Sequence, residues 1–161
     1  MSRALVRREV SVAAPARRLW DYITDWPRQG EWIPFTRVEE VAHAHRVGGR
    51  IRAWTGLGRV GFWDPMTITA WEDHLDEPQG WARCEVLHTG RVVRGEAEFA
   101  VRAGGPASSV FTWWEHLVLP AGSAGALVWR AGGRGAERAV GAALDRLAER
   151  VEQGSAARPT G

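Results

Sequence analysis

The pattern of apolar and polar positions changes period three times along the chain. Residues 5–14, "LVRREVSVAA", alternate loosely and read as a first strand. In "PARRLWDYITD" (15–25), Pro15 sits where a helix tolerates it, at the first turn. Leu19, Trp20 and Ile23 lie three to four apart and give that helix one apolar face. Asp25 is placed to cap a second, short helix over "WPRQGEW" (26–32), which Pro34 ends.

From residue 36 onward the period drops to two. "TRVEEVAH", "GRIRAWTG", "GFWDPMTITAWE", "WARCEVLHT", "RVVRGEAEFAVR" and "SVFTWWEHLVLP" are β-rich and separated by turn signals such as Thr-Gly and Gly-Gly-Pro. Helical spacing returns at the end. Val140, Leu144, Leu147 and Val151 form one apolar face, with Arg and Glu opposite, which predicts an amphipathic helix over about 135–152. The order is strand, two short helices, six strands, long helix. Such a sheet needs its apolar face covered, and the last helix is the available cover, so the chain is α+β.

Strand parity then assigns faces. The fourth strand puts Phe62, Asp64, Met66, Ile68 and Ala70 on one side, and Trp63, Thr67, Thr69 and Trp71 on the other. The fifth sets Ala82, Cys84, Val86 and His88 against Arg83, Glu85 and Thr89. The sixth sets Val93, Gly95, Ala97, Phe99 and Val101 against Arg94, Glu96, Glu98 and Arg102. In the seventh, Phe111, Trp113, Glu115, Leu117 and Leu119 align. A two-residue loop at Thr89-Gly90 would pair His88 with Arg91 and Cys84 with Gly95. The same bookkeeping pairs Phe99 with Trp113, Ala97 with Glu115 and Asp64 with His88.

Two sites follow from this layout. The small residues Ala70, Ala82, Cys84, Gly95 and Ala97 leave room beside Glu115, and a carboxylate in an apolar cavity suits a general acid, a general base or a ligand anchor. Asp64, His88 and Arg91 gather toward the other end of the strands. Asp64 could fix the imidazole tautomer for proton transfer, and Arg91 could hold an anionic group. Six residues along a strand is roughly 20 Å, so Glu115 and Asp64 are expected to be apart unless the sheet curls sharply.

Composition narrows the function classes. With 21 basic and 19 acidic residues the net charge is only +2, and the arginines are interspersed with acids, which argues against nucleic-acid binding. A lone Cys84 allows no intrachain disulfide and reads as a small core residue. "HAH" (43–45) has no third ligand nearby, so no metal site is expected. There is no phosphate-binding glycine loop and no nucleophile elbow, and no cofactor is expected. With neither a signal-peptide pattern nor a membrane-span-length apolar run, the expectation is a cytoplasmic protein without integral membrane association. Residues 3–153 read as one domain, and 154–161, small and polar, as a disordered tail.

The element order, with "VAAPARRLWDYITDWPRQGEWIP", "VGFWDPMTITAWE", "CEVLHTGRVVRGEAEF" and "WWEHLVLP", resembles the START-like (SRPBCC) superfamily over about residues 3–152. It is most similar to bacterial members labelled polyketide cyclase/dehydrase and lipid transport. The resemblance implies a helix-grip fold: a seven-stranded curved antiparallel sheet around a long C-terminal helix, with a cavity between them. Members include hydrophobic-ligand carriers, cyclases, hydrolases and regulators, and no catalytic signature transfers residue by residue. The expected function is therefore binding of a hydrophobic or amphipathic small molecule (polyketide, lipid or aromatic) by a monomer or homodimer. The alternative is a polyketide cyclase/dehydratase using Glu115, Asp64 and His88. Expected ligand contacts are Trp32, Met66, Ile68, Cys84, Gly95, Ala97, Phe99, Trp113, Leu117 and Arg91. Glycines 132, 133 and 135 could let the start of the last helix move aside.

Overall fold

The computed structural model describes residues 2–119 and 138–154, with side chains placed for 5–118 and 138–154. Strand β1 (Ser2–Val12) leads into helix α1 (Ala16–Thr24) and a 3-10 turn over Trp26–Glu31. Six strands follow: β2 (Thr36–Ala42), β3 (Arg50–Leu57), β4 (Val60–Asp73), β5 (Trp81–Thr89), β6 (Arg94–Gly105) and β7 (Ser108–Leu119). Helix α2 covers 138–154. The strands form one antiparallel sheet in the order β1-β7-β6-β5-β4-β3-β2, so β1 crosses to the far edge and every other neighbour is sequential. The glycines expected to loosen the start of α2, and the tail from residue 155, lie outside the described residues.

One face of the sheet carries the core. Leu19, Trp20 and Ile23 of α1 are buried as their spacing requires, as are Ala143, Leu144, Leu147 and Val151 of α2. The C-terminal end of α2 is tied to the β1–α1 connection. Glu152 Oε1 accepts from Ala13 N–H at 2.8 Å, and Arg18 Nε donates to Val151 O at 3.2 Å.

Four local expectations change, the last being that His88 stands opposite Met66 and not opposite Asp64. Asp25 precedes the 3-10 turn, but its side chain makes no capping bond; its carbonyl accepts from Arg28 N–H at 2.9 Å. The β5–β6 connection is longer than two residues, so His88 pairs with Gly95 and Cys84 with Phe99. Thr89 Oγ1 on Pro65 O (3.1 Å) and Arg94 Nε on Gly90 O (3.3 Å) hold that wider turn. The displacement is by an even number of residues, so every side chain keeps its expected face.

The third change does switch a face. A bulge between Ile68 and Ala70 sets Ala70 opposite Glu85 and Trp71 opposite Cys84. Trp71 thereby turns inward against Trp20, Trp26 and His45, with ring centroids 5.3, 6.5 and 5.4 Å away. Ala70 leaves the set of small inward residues. The pairings of Phe99 with Trp113 and Ala97 with Glu115 are as expected.

Candidate functional site

Between the inner face of the sheet and the 3-10 turn lies a cavity of about 170 Å³. A single water needs only about 10–15 Å³ on a comparable scale, so this space admits an organic molecule. Its walls are mainly apolar: Val38, Ile51, Ala53, Met66, Val86, Phe99 and Trp113 contribute, with Cys84 and Ala97 as the small floor residues. Gln29 enters from the 3-10 turn, where its Nε2 donates to Ile23 O at 2.9 Å. Thr36 and Thr55, paired across β2 and β3, stand at one end.

Three titratable groups converge in this space. Asp64 on β4 and His88 on β5 are 7 % and 8 % exposed, and His88 Nδ1 lies 2.7 Å from Asp64 Oδ2. With the carboxylate as acceptor, Nδ1 carries a proton. Glu115 on β7 lines the same cavity. It is half-buried: protein surrounds it, yet the cavity reaches it. Desolvation pushes its carboxyl above the ordinary 4.5, His88 and the Trp113 indole pull the other way, and Asp64 adds a small push upward.

The expected separation of about 20 Å between Asp64 and Glu115 is therefore replaced by a shared cavity. The wider β5–β6 turn is one cause, because it moves His88 from the row of Arg91 to the row of Gly95 and Leu117. The other is the strand between them. β6 offers Gly95 and Ala97 at this point, so nothing bulky rises between His88 and Glu115. Gly95 cannot be replaced there: φ is +127°, and a Cβ would sit 2.0 Å from His116 O.

Among the described residues, Asp64 Oδ1 and His88 Nε2, on two side chains that line the cavity, are buried without a hydrogen-bond partner. Buried polar atoms are nearly always paired, so two on the hydrogen-bonded Asp64–His88 pair stand out.

The remaining expected contacts divide. Met66, Cys84, Ala97, Phe99 and Trp113 line the cavity. Trp32 and Ile68 are core instead. Trp32 is fully buried against Phe99, Phe111 and Trp113, with centroids 6.0, 6.1 and 5.8 Å away. Gly95 and Leu117 share the row of His88 but are not among the lining residues, and Arg91 is exposed in the β5–β6 turn. Sequence reasoning missed Trp26, Gln29 and the β2–β3 wall. For that wall the signal was present, since Thr36 and Val38 flank Arg37 and Ile51 and Ala53 flank Arg52. Among the described residues, no three His, Cys, Asp or Glu side chains come together as a metal-ligand set.

A family model described as polyketide cyclase/dehydrase and lipid transport matches residues 3–152. The chain belongs to that family. An aromatase/cyclase from Streptomyces sp. R1128 superposes with a TM-score of 0.71 at 16% identity, over 94% of this chain and 95% of that one. A Thermus thermophilus protein gives 0.74 at 18%, over 94% and 99%. A START superfamily protein from Mycobacterium smegmatis gives 0.67 at 17%, over 92% and 97%. At these identities the structural likeness concerns the fold alone: the helix-grip architecture that the resemblance implied. Comparison with curated proteins yields no match.

Proposed function

We propose that the chain binds a hydrophobic or amphipathic small molecule (a polyketide, lipid or aromatic compound) in the cavity on the inner face of the sheet. One observation carries this reading: an apolar cavity large enough for an organic ligand, with Glu115, His88 and Trp113 among the residues that line it. Apolar walls supply affinity without direction, and a few fixed polar atoms orient the ligand. Glu115, biased toward its neutral form by burial, donates a hydrogen bond to a ligand oxygen.

A second reading is favoured by the same convergence. In a cyclase or dehydratase acting on a poly-β-carbonyl chain, a base removes a proton beside a carbonyl and an acid delivers one to the leaving oxygen. His88, oriented by Asp64, is the candidate base, and Glu115, whose carboxyl burial shifts upward, is the candidate acid.

The test begins with extraction and mass analysis of whatever co-purifies with the native protein, followed by titration of candidate compounds by tryptophan quenching. A stoichiometric, unchanged ligand supports the carrier. Turnover that Glu115→Gln lowers by about 10²–10⁴-fold, with binding retained, supports the enzyme. If no apolar compound binds, both readings fail.

A further inference from the structure

The β3–β4 hairpin projects beyond the rest of the sheet. On β2 the ladder begins at Thr36 opposite Thr55, and on β5 it ends at His88 opposite Met66. In the ladder Gly56 pairs with Gly61 and Leu57 with Val60, inside their own hairpin. The turn between them is two residues long, with Gly58 at φ +61°, the left-handed conformation such a turn demands. A Cβ on Gly61 would lie 2.7 Å from the Trp54 ring, so the two glycines let the strands close under that tryptophan.

The chemistry of this arm is ordered along its length. At the tip, Leu57 is 73 % exposed and Val60 81 % exposed, with Arg59 between them in the turn. Phe35, 67 % exposed, is fastened to the arm by its carbonyl, which accepts from Gly56 N–H at 3.0 Å. Phe35 adopts φ +58°, a conformation costly for a bulky residue and maintained here with its ring in solvent. Behind the tip, Trp54 and Trp63 stand directly opposite each other with centroids 5.6 Å apart. Arg52 and Arg37 stack on the Trp63 ring at 4.3 and 5.5 Å. In the stretches 35–39 and 52–63, three arginines (37, 52 and 59) accompany one carboxylate, Glu39.

We propose that this arm docks the protein on an anionic lipid bilayer, with Phe35, Leu57 and Val60 entering the acyl boundary and the tryptophan–arginine collar resting among the headgroups. Three residues of strand separate Trp54 from Leu57, about 10 Å, which matches the depth from headgroup level into the upper acyl region. Tryptophan and arginine are the side chains that favour that level, and the arginine excess complements anionic lipid. A projecting tip also fits a deformable surface better than the concave partner a protein would need. Docking there brings the Thr36–Thr55 end of the cavity toward the membrane, but the proposal is independent of what the cavity holds.

The test is flotation with vesicles of phosphatidylcholine containing about one part in four phosphatidylglycerol, and with phosphatidylcholine alone. Wild type is expected to float with the anionic vesicles. Partition should fall at least about tenfold in the Leu57→Asp/Val60→Asp double variant and about fivefold in Arg59→Ala. All three positions are exposed, so the variants should unfold at the wild-type temperature. Absence of partition, or partition that the double variant retains, overturns the proposal. Charge-dependent binding indifferent to Leu57 and Val60 overturns it in favour of an acidic protein partner. Self-association lost in the double variant, without vesicle binding, overturns it in favour of an interface between copies.

Discussion

His88 Nδ1 lies 2.7 Å from Asp64 Oδ2 although the two residues are not ladder partners; His88 stands opposite Met66, and Asp64 opposite Ala53 on the other neighbour. The bond is a diagonal one across β4 and β5, and both side chains are buried. Removing the carboxylate strands a buried imidazole N–H. Asp64→Ala should cost about 1–3 kcal/mol, whereas Asp64→Asn, which keeps an acceptor oxygen, should cost less. Urea unfolding with an unchanged slope measures both, and equal losses for the two variants would refute the pairing.

Glu115 makes stability depend on pH. Burial keeps it protonated to a higher pH in the folded chain than the ordinary 4.5 of an unfolded one. The folded state therefore binds more protons between those two values. Stability is fullest below about 4.5 and declines as the pH rises toward the folded value. Glu115→Gln removes this slope. The variant should equal wild type near about pH 4 and melt higher at about pH 7, and parallel stability curves would contradict it.

Much of the fold was legible because its signals are local. Leu19, Trp20 and Ile23 needed only helical spacing, and the contrast between Ala97, Phe99 and Val101 and their charged neighbours needed only alternation. The site was less legible because it depends on register. One wider turn at Gly90 moved His88 to the row of Gly95, and one bulge after Ile68 exchanged Ala70 for Trp71 on the inner face. Neither has a compositional mark distinguishing it from a tight turn or a regular strand. The pairing of Ala97 with Glu115 was recovered because the β6–β7 hairpin keeps its faces through the Ala103/Gly105 bulge.

The buried tryptophans near the start of the chain carry different loads. Trp32 is fully enclosed by three aromatic rings and does not line the cavity, whereas Trp26 does. Trp32→Ala should cost about 3–5 kcal/mol, as expected for excision of a large core side chain. Chemical denaturation checks this. A loss below about 1 kcal/mol would show that the ring is not the packing centre that its contacts imply.

Cavity volume gives a test of binding that needs no knowledge of the natural ligand. Ala97 lies opposite Glu115 on the cavity floor, and a leucine there occupies space without disturbing the ladder. Overpacking ordinarily costs about 1–3 kcal/mol, but added methyl groups entering open volume should cost under about 1 kcal/mol. Affinity for a fluorescent apolar dye should fall at least about tenfold, equivalent to about 1.4 kcal/mol. Unchanged dye affinity would place the dye elsewhere on the molecule.

Cys84 separates accessibility of the cavity from reactivity within it. Its thiol lines the cavity, yet burial pushes it from 9.0 up to about 12, with Glu85 and Glu98 adding to the shift. Thiolate is the reacting species, so the native protein should alkylate with iodoacetamide at about pH 8 at least about 10²-fold more slowly than the unfolded chain. Labelling should then follow opening of the fold. The sign with pH is set by the same shift. The folded state retains a proton that the unfolded state has lost above 9.0, so stability declines from there toward about 12. Cys84→Ala should remove that alkaline decline. Rapid labelling of the folded protein at about pH 8 would mean that the cavity stabilises the thiolate, and would reopen Cys84 as a nucleophile.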